Sequence, residues 1–299
     1  MSGYTENEIG YAKALARNIA DLGLSQAQVA RKVEISATAL NLVLSGKYAS
    51  PPGKMLNRID AALARFRRKN TPEVVETSMF KLVRQAGNKA CRDRCVSVVT
   101  GAVGTGKTVA IKNAFDRACI IEADPVMHVG VFIDELARKL GLRIHGTIPD
   151  KMARIVEKLE GARSLLIVDE AETLKPKVLE TARRIHDKAE IGMLLTGTGR
   201  LLTLLTPREG HFGQIRSRVA FWPKHIDRIS ADDEKLIIDA YLPEADASAR
   251  SEIRKTAQGS VRMLRKGLIM NIRNWGARNP GKCINAAVVR AIADQAMSL

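Results

Sequence analysis

The stretch Gly101-Ala102-Val103-Gly104-Thr105-Gly106-Lys107-Thr108 matches the pattern G-x-x-x-x-G-K-[ST] at every fixed position. Its glycines let the backbone turn tightly, with N–H groups aimed at phosphate oxygens. A helix expected to begin near Lys107 adds the positive end of its dipole. The lysine would reach the β- and γ-phosphates of a nucleotide, and the hydroxyl of Thr108 would ligate Mg²⁺. The stretch therefore predicts a phosphate-binding loop.

The residues on either side of this loop alternate between strand and helix patterns. Short apolar runs predict strands at Cys95–Thr100, Cys119–Glu122, Ser164–Val168, Gly192–Thr196 and Val219–Trp222. Helical patterns fall between them, from the loop to about Arg117 and over Val129–Leu140, Asp150–Glu160 and Lys177–Lys188. This alternation is typical of an α/β fold in which helices cover both faces of a parallel sheet.

Two carboxylates, Asp169 and Glu170, follow the apolar run Leu165–Val168. Ligands of parallel sheets bind at the carboxyl ends of the strands. We expect Asp169 to hold Mg²⁺, directly or through water, and Glu170 to polarise the attacking water. The alternative is a solvated acidic helix cap, and Glu172 fits that description. The phosphate loop upstream favours the catalytic interpretation.

Two further positions suit a nucleotide site. Thr198 follows the next strand and could orient the attacking water, with Thr196 as second choice. Both threonines could equally be present for their β-propensity. Arg218 precedes the last strand and could complete the site of a neighbouring subunit, with Arg216 as second choice. Both arginines could instead be surface charges.

Arg262 ends the stretch Gly259-Ser260-Val261-Arg262, which opens a helix near the carboxyl end of the chain. From there it could contact the nucleotide. A basic helix that faces solvent or DNA is the alternative interpretation.

The order of these motifs resembles that of the AAA+ ATPases. Ser217-Arg218 resembles the serine–arginine step that carries the arginine finger in clamp loaders. Gly259–Arg262 is similar to the sensor-2 motif G-D-x-R, with Ser in place of Asp. Thr198 stands where many relatives carry Asn. The resemblance implies an AAA+ P-loop core with a helical lid, and the binding of ATP and Mg²⁺.

The stretch Leu24–Gly46 predicts two short helices, with Ser25 and Ser36 as N-caps. It is similar to the repressor-type helix-turn-helix, except that Glu34 occupies the turn position that usually holds Gly. A residue other than Gly adopts the required left-handed conformation at some cost. A small helical domain for protein contacts is the alternative to DNA binding.

In such a motif the first turns of the second helix enter the major groove. The residues expected to face DNA there are Ser36, Ala37, Thr38 and Asn41. These side chains offer few bidentate base contacts, so we expect little sequence specificity. Phosphate contacts are expected from the nearby residues Arg31, Lys32, Lys47 and Lys54.

The chain has 299 residues, with 48 Lys and Arg against 32 Asp and Glu, a formal net charge of +16. Such a surplus favours a nucleic-acid partner, and a basic surface kept for solubility is the alternative. Between Arg250 and Arg290 there are 10 basic residues and one acidic residue. The apolar content of 45% excludes wholesale disorder.

The length of the chain and the positions of its turn-forming and helix-breaking residues predict three segments. They are a helix-turn-helix segment at 1–70, a core at 71–223 and a basic helical segment at 224–299, with a linker over 65–72.

No apolar run approaches the ~20 residues that span a bilayer. The start of the sequence does not have the form of a secretory signal. Four scattered cysteines suit a reducing compartment, so we expect a cytoplasmic protein without membrane contact.

A helix-turn-helix, an AAA+ core and a basic helical end in that order resemble the B transposition proteins, the target-DNA activators of Mu-like transposable phages. The resemblance covers nearly the whole chain. It implies double-stranded DNA binding with little sequence preference, helical filaments of the protein on DNA, and delivery of that DNA to a transposase. It also implies stimulation of strand transfer, and ATP hydrolysis that releases the protein.

Two other functions remain open. A helicase loader or a Tn7-like transposition regulator would share the ATPase core. Loaders of this size usually lack a front helix-turn-helix, which argues against that class. A nucleotide-responsive helix-turn-helix repressor with a degenerate nucleotide domain is the third possibility. The intact Lys107, Asp169 and Glu170 argue against it.

Overall fold

The computed structural model describes residues 4–21, 23–70, 74–143, 145–161, 164–206, 213–279 and 281–297. The chain forms two compact units. One comprises Val74–Glu234 and Gln258–Arg262, and the other comprises Met1–Glu73, Lys235–Ala257 and Met263–Leu299. The three predicted segments follow chain order, whereas each unit gathers separate stretches of chain. In particular, Gln258–Arg262 belongs with the core.

Helices make up the regular structure of residues 4–21 and 23–70. They are α1 (Glu6–Asp21), α2 (Gln26–Val33), α3 (Ala37–Leu44) and α4 (Gly53–Asn70). Their shared core includes Leu15, Val29, Leu40 and Ile59, each at most 1% exposed.

The two short helices predicted from Leu24–Gly46 are present as α2 and α3. Ser25 accepts a hydrogen bond from the Gln28 amide, and the Gln28 side chain accepts one from the Ser25 amide, which forms a capping box. Ser36 caps α3 by accepting from the Ala39 amide. Glu34 ends α2 in the left-handed conformation, with φ +57°. The local sequence thus determined both caps and the turn between them.

The expected linker over 65–72 is wrong for residues 65–70, which complete α4. Arg, Lys and Phe are all compatible with a helix, and the first helix breaker in this stretch is Pro72. Residues 71–73 lie outside the described ranges.

The described strands form one parallel sheet, as the alternating pattern predicted. They are β1 (Val96–Thr100), β2 (Cys119–Glu122), β3 (Leu165–Asp169), β4 (Gly192–Gly197) and β5 (Val219–Phe221). Their order across the sheet is β2-β3-β4-β1-β5. All residues of β1, β3 and β4 are buried, as expected for central strands covered on both faces.

Helices lie on both faces of this sheet. They are α5 (Ser78–Asp93), α6 (Lys107–Ala114), α7 (Val129–Lys139), α8 (Ile148–Leu159), α9 (Pro176–Ala189), α10 (Gly199–Leu205) and α11 (Gly213–Arg216). Successive strand residues face opposite sides. Val98 belongs to one hydrophobic cluster together with Phe132 of α7. Val99 belongs to a second cluster together with Val83 of α5.

The remaining helices are α12 (Ala231–Tyr241), α13 (Ala247–Ala257), α14 (Met270–Arg278) and α15 (Ala286–Met297), with a π-helical segment at Met263–Ile269. Ile253, Leu264, Leu268 and Val289 are buried among them. None of the helices in the described ranges is both long and apolar enough to cross a membrane.

Candidate active site

The loop Gly101–Thr108 connects the carboxyl end of β1 to the start of α6. Gly104 and Gly106 have φ angles of +84° and +97°, which side-chain-bearing residues rarely adopt. Gly106 is the N-cap of α6 and offers no side chain to the first amides. Those amides are therefore left to an external acceptor such as a phosphate.

Lys107 lies inside the loop, with only 8% of its surface exposed. Its Nζ donates to the carbonyl oxygens of Gly101 at 2.7 Å and Ala102 at 3.0 Å. Burial lowers the pKa of Lys107, and the nearby carboxylate of Asp169 opposes that change. The ammonium group thus lies where the loop would cradle phosphates, and phosphate oxygens would be stronger acceptors than carbonyls.

Thr108 and Asp169 lie side by side beneath the loop. The Thr108 hydroxyl donates to Asp169 Oδ2 at 2.7 Å, and Asp169 is 2% exposed. A hydroxyl and a carboxylate are the hard oxygen ligands that Mg²⁺ takes from proteins, with water and phosphates as its other ligands. The donor set therefore fits Mg²⁺ held together with a nucleotide.

Glu170 follows Asp169 in a left-handed backbone conformation, with φ +55°. Its amide donates to Asp169 Oδ1 at 3.0 Å, and its carbonyl accepts from Thr173, which closes a short 3₁₀ turn. The side chain is exposed. A left-handed residue other than Gly costs roughly 1–2 kcal/mol, and such conformations concentrate at functional sites.

The two candidate threonines have different surroundings. Thr196 is fully buried, and its hydroxyl donates to Asp169 Oδ1 at 2.6 Å. Thr198 is partly exposed and caps α10 by accepting from the Arg200 amide at 3.4 Å. Thr196 therefore orients the carboxylate proposed to hold Mg²⁺, while Thr198 remains accessible beside it.

Glu172 lies beside the site, whereas the sequence suggested only a solvated acidic cap for it. The solvated cap suggested for it is wrong: the side chain is only partly exposed, and Oε1 accepts from the Thr198 amide at 2.8 Å. Its Oε2 is buried and accepts no hydrogen bond from a described residue. A Cβ at Gly197 would lie 2.1 Å from that oxygen, so a larger residue there would displace the Glu172 carboxylate. Neither Glu172 nor Gly197 belongs to a motif that could have revealed this contact.

The stretch Gly259–Arg262 lies against the phosphate loop. The Arg262 amide donates to the Gly104 carbonyl at 3.2 Å. A Cβ at Gly104 would lie 2.8 Å from Ser260 Oγ. Gly259 has φ +79°, and its amide donates to Glu234 Oε1 at 3.0 Å. Arg262 is exposed, and its charge contributes to lowering the Lys107 pKa, which places both cations in one electrostatic environment.

Arg218 does not join this cluster. It immediately precedes β5, whose first residue pairs with Val96 at the amino end of β1, whereas the loop follows the carboxyl end of β1. Its Nε donates to Asp187 Oδ1 at 2.5 Å. Arg216 is exposed. The arginine candidates and the phosphate loop are thus at opposite edges of the sheet.

The four residues expected to face DNA lie along the first turns of α3 and are all exposed: Ser36, Ala37, Thr38 and Asn41. The basic residues expected near phosphates are exposed as well: Arg31, Lys32, Lys47 and Lys54. Leu40 and Val43 point into the helical core and are fully buried. The polar face of α3 is therefore available for a partner.

Comparisons with known proteins agree with this geometry. A family model described as "AAA domain" matches residues 91–205. The Mu-like prophage FluMu DNA transposition protein B of Haemophilus influenzae is 27% identical, over 84% of this chain and 92% of that protein. The ATP-dependent target DNA activator B of Escherichia phage Mu is 25% identical, over 88% and 87%.

Solved structures show the same fold. Domain III of the Thermotoga maritima replication initiation protein DnaA has a TM-score of 0.50 at 15% identity, over 74% of this chain and 94% of that one. The Thermotoga maritima RuvB Holliday junction branch migration motor has a TM-score of 0.52 at 18% identity, over 75% and 72%. The chain thus contains an AAA+ P-loop core, and the resemblance to the B transposition proteins of Mu-like phages is confirmed over most of its length.

Proposed function

We propose that the protein is an ATPase that, when ATP is bound, binds DNA with little sequence preference and assembles on it as filaments. We further propose that it delivers this DNA to a cognate transposase in the host cytoplasm and stimulates strand transfer. The observation that carries the proposal is the grouping of Lys107, Thr108, Asp169 and Glu170 at one sheet edge, in a chain similar to proteins named as DNA transposition protein B and target DNA activator B.

Nucleotide binding follows from the loop. Lys107 exchanges its carbonyl acceptors for the β- and γ-phosphates, while the loop amides surround the phosphate oxygens. Thr108 and Asp169 would hold Mg²⁺, which neutralises charge on the phosphates when bound. Glu170 polarises the attacking water, Thr198 orients it, and Arg262 contacts the nucleotide from the adjoining stretch.

The position of Arg218 supports its action on a neighbouring subunit. Val96 and Thr100 are four residues apart along β1, which corresponds to about 13 Å, and the loop lies beyond Thr100. An arginine side chain at the amino edge of the sheet is too short to reach phosphates bound at the other edge of the same subunit. We therefore assign Arg218 to the nucleotide of the next subunit, so that ATP promotes assembly.

Assembly would multiply weak DNA contacts. Each subunit carries a net charge of +16 and an exposed polar face on α3. Phosphate contacts are sequence-independent and salt-sensitive, and many linked contacts bind far more tightly than one. Hydrolysis removes the γ-phosphate that Arg218 contacts, and the interface then dissociates. In this proposal residues 1–70 bind DNA, 71–223 hold the ATPase and 224–299 form a basic lid.

Binding to random-sequence duplex DNA tests the proposal. With ATP we expect salt-sensitive binding that strengthens with duplex length, and with ADP little binding. Lys107→Ala should abolish the ATP-dependent binding, and Glu170→Gln should preserve it because hydrolysis is blocked. Lys112→Ala, on the same helix but exposed and paired with Glu122, is the matched control. Tight ATP-independent binding to one short site would instead identify a repressor.

The transposase role and the arginine need separate measurements. With a cognate transposase, strand transfer into the bound DNA should require ATP and the intact Lys107. Absence of any effect on strand transfer, with ATP-dependent DNA binding retained, would favour a loader. Arg218→Ala should bind ATP normally and fail to assemble. Filaments of that variant in electron micrographs would show that the assignment is wrong.

A further inference from the structure

Charged side chains near the end of α9 form a connected network. Arg183 is buried and donates to both carboxylate oxygens of Glu180, from Nε at 2.8 Å and from Nη2 at 2.5 Å. Its Nη1 donates to Asp187 Oδ2. Hydrogen bonds from Arg183 lower the pKa of Glu180, which therefore stays ionised at neutral pH. A buried, bidentate arginine thus fixes one oxygen of Asp187.

The other oxygen of Asp187 contacts Arg218. Asp187 Oδ1 accepts from Arg218 Nε at 2.5 Å, and Nη1 of the same guanidinium donates to the Gln214 carbonyl at 2.7 Å. Burial lowers the pKa of the adjacent His186, so that its ring is neutral at pH 7 and leaves the Asp187 charge to the two arginines. No described residue accepts a hydrogen bond from Nη2 of Arg218, and 35% of the side chain is exposed.

Arg218 is therefore held at two N–H groups on different sides of its guanidinium, Nε and Nη1, while Nη2 has no acceptor among the described residues. A free arginine samples many rotamers, and a misplacement of ~1 Å can cost on the order of a hundredfold in rate. We propose that Asp187 is a positioning residue: it fixes Arg218 of one subunit in the pose that reaches the nucleotide of the next. This inference rests on the proposed role of Arg218.

Two other roles of Asp187 make different predictions. If the ion pair only stabilises the fold, its loss would impair any subunit that carries the substitution. If Asp187 withholds Arg218 from the neighbour, its loss would raise ATP hydrolysis. Arg183 would keep Glu180 as a partner, and the side chains of Asp187 and Arg218 are partly exposed, so water can replace the lost carboxylate. The Asp187→Ala subunit should therefore stay folded.

Mixed subunits separate these roles. Lys107→Ala provides a donor with an intact Arg218 but a defective nucleotide site. Arg218→Ala provides an acceptor with an intact nucleotide site but no arginine. Each alone should hydrolyse ATP poorly on duplex DNA, and the mixture should recover activity wherever a donor docks onto an acceptor. Asp187→Ala is then added to the donor in one mixture and to the acceptor in another.

We expect Asp187→Ala in the donor to reduce the recovered activity at least tenfold, and the same substitution in the acceptor to leave it within twofold. Asp187→Asn in the donor should restore part of the activity, because the amide oxygen still accepts from Nε. Equal losses of ATP hydrolysis in both mixtures would show that Asp187 has a purely structural role. Faster hydrolysis in the donor mixture would show that Asp187 withholds Arg218 from the neighbouring subunit. Either result overturns the inference.

Controls distinguish the inference from the function on which it rests. Glu190→Ala removes an exposed ion pair with Arg94 close to the same end of α9 and should leave the donor unaffected. If the two single variants fail to complement each other, the assignment of Arg218 itself is wrong. Asp187→Ala is then tested in the otherwise unaltered chain: unchanged ATP hydrolysis there overturns the positioning role as well.

Discussion

Glu172 links the residues after β3 to the start of α10 through one hydrogen bond to the Thr198 amide. Glu172→Ala should lower kcat about tenfold, because Thr198 would lose the contact that fixes its backbone, a loss comparable to that of a catalytic positioning group. ATP affinity should stay within twofold, since Lys107 and Thr108 are untouched. Glu172→Gln keeps the acceptor oxygen and should retain most activity. Steady-state ATP hydrolysis and nucleotide-binding titrations measure the two effects.

The effect of Glu172 can be assigned to Thr198 by a double-mutant cycle. If Glu172 acts through Thr198, the Glu172→Ala/Thr198→Val double variant should be no slower than Thr198→Val alone. Additive losses would show that Glu172 acts independently, through its nearby charge on Lys107. Full activity of Thr198→Val would instead move the sensor role to Thr196.

Single residues were predictable from sequence where a motif fixes them. The spacing from Gly101 to Thr108 and the pair Asp169–Glu170 belong to such motifs, and the structure brings Thr108 and Asp169 to 2.7 Å. The different surroundings of Thr196 and Thr198 were not predictable, because the contact between the Thr196 hydroxyl and Asp169 depends on the pairing of β3 with β4. The environment of Glu172 depends on a 3₁₀ turn and on the missing side chain of Gly197.

At the scale of elements, the end of α2 is under strain. Glu34 holds φ +57°, ψ +49°, a conformation that costs a residue with a side chain roughly 1–2 kcal/mol. Part of the gain from Gly is lost to the greater freedom of the unfolded chain. Glu34→Gly should therefore raise the free energy of unfolding of the helix-turn-helix by about 1 kcal/mol.

The measurement is made on the full chain. Hydrogen exchange of the α2 and α3 amides reports local stability there. Ala30→Gly, inside the same helix, is the control and should destabilise by about 1 kcal/mol. Slower amide exchange in Ala30→Gly than in the unaltered chain, or faster exchange in Glu34→Gly, would contradict the conclusion that Glu34 is strained.

Gly259 positions the stretch that carries Arg262. Its φ is +79°, and a Cβ there would lie 2.6 Å from the Cβ of Arg228. Gly259→Ala should therefore displace Arg262 from the loop and weaken ATP binding about tenfold, with a smaller effect on ADP if Arg262 contacts the γ-phosphate. Gly141→Ala is the matched control, since Gly141 has φ +71° but no atom within 4 Å of the position that its Cβ would occupy. Equal weakening by both substitutions would show backbone strain alone.

Element boundaries were predictable where local chemistry ends an element. β2 matches its predicted limits, and Ser25 and Ser36 cap their helices as expected. The helix expected from Asp150 begins at Ile148, because Thr147 forms a capping box with Asp150. Local sequence patterns could not predict that Gln258–Arg262 belongs with the core. That grouping depends on contacts with residues far away in the chain, such as Gly104.

At the scale of the whole molecule, the charge of +16 is spread over the chain, with +6 in residues 1–70, +6 in 71–223 and +4 in 224–299, rather than concentrated in one motif. DNA affinity should therefore depend on many phosphate contacts, each of modest strength. Exposed Arg31 and Lys32 adjoin the α3 face and offer two such contacts. Replacing both with Gln should weaken ATP-dependent binding by a similar factor on every DNA sequence, because phosphates carry no sequence information.

The salt dependence decides whether those two residues contact phosphates. Each lost contact should reduce the slope of log affinity against log salt by about 1, so that the double substitution reduces it by about 2 per subunit. Lys13→Gln with Arg17→Gln removes the same charge from exposed positions on α1 and should leave the slope unchanged. Equal changes in both variants would mean that net charge alone, rather than contact by the helix-turn-helix, attracts DNA. A loss confined to some sequences would instead indicate base recognition by this face.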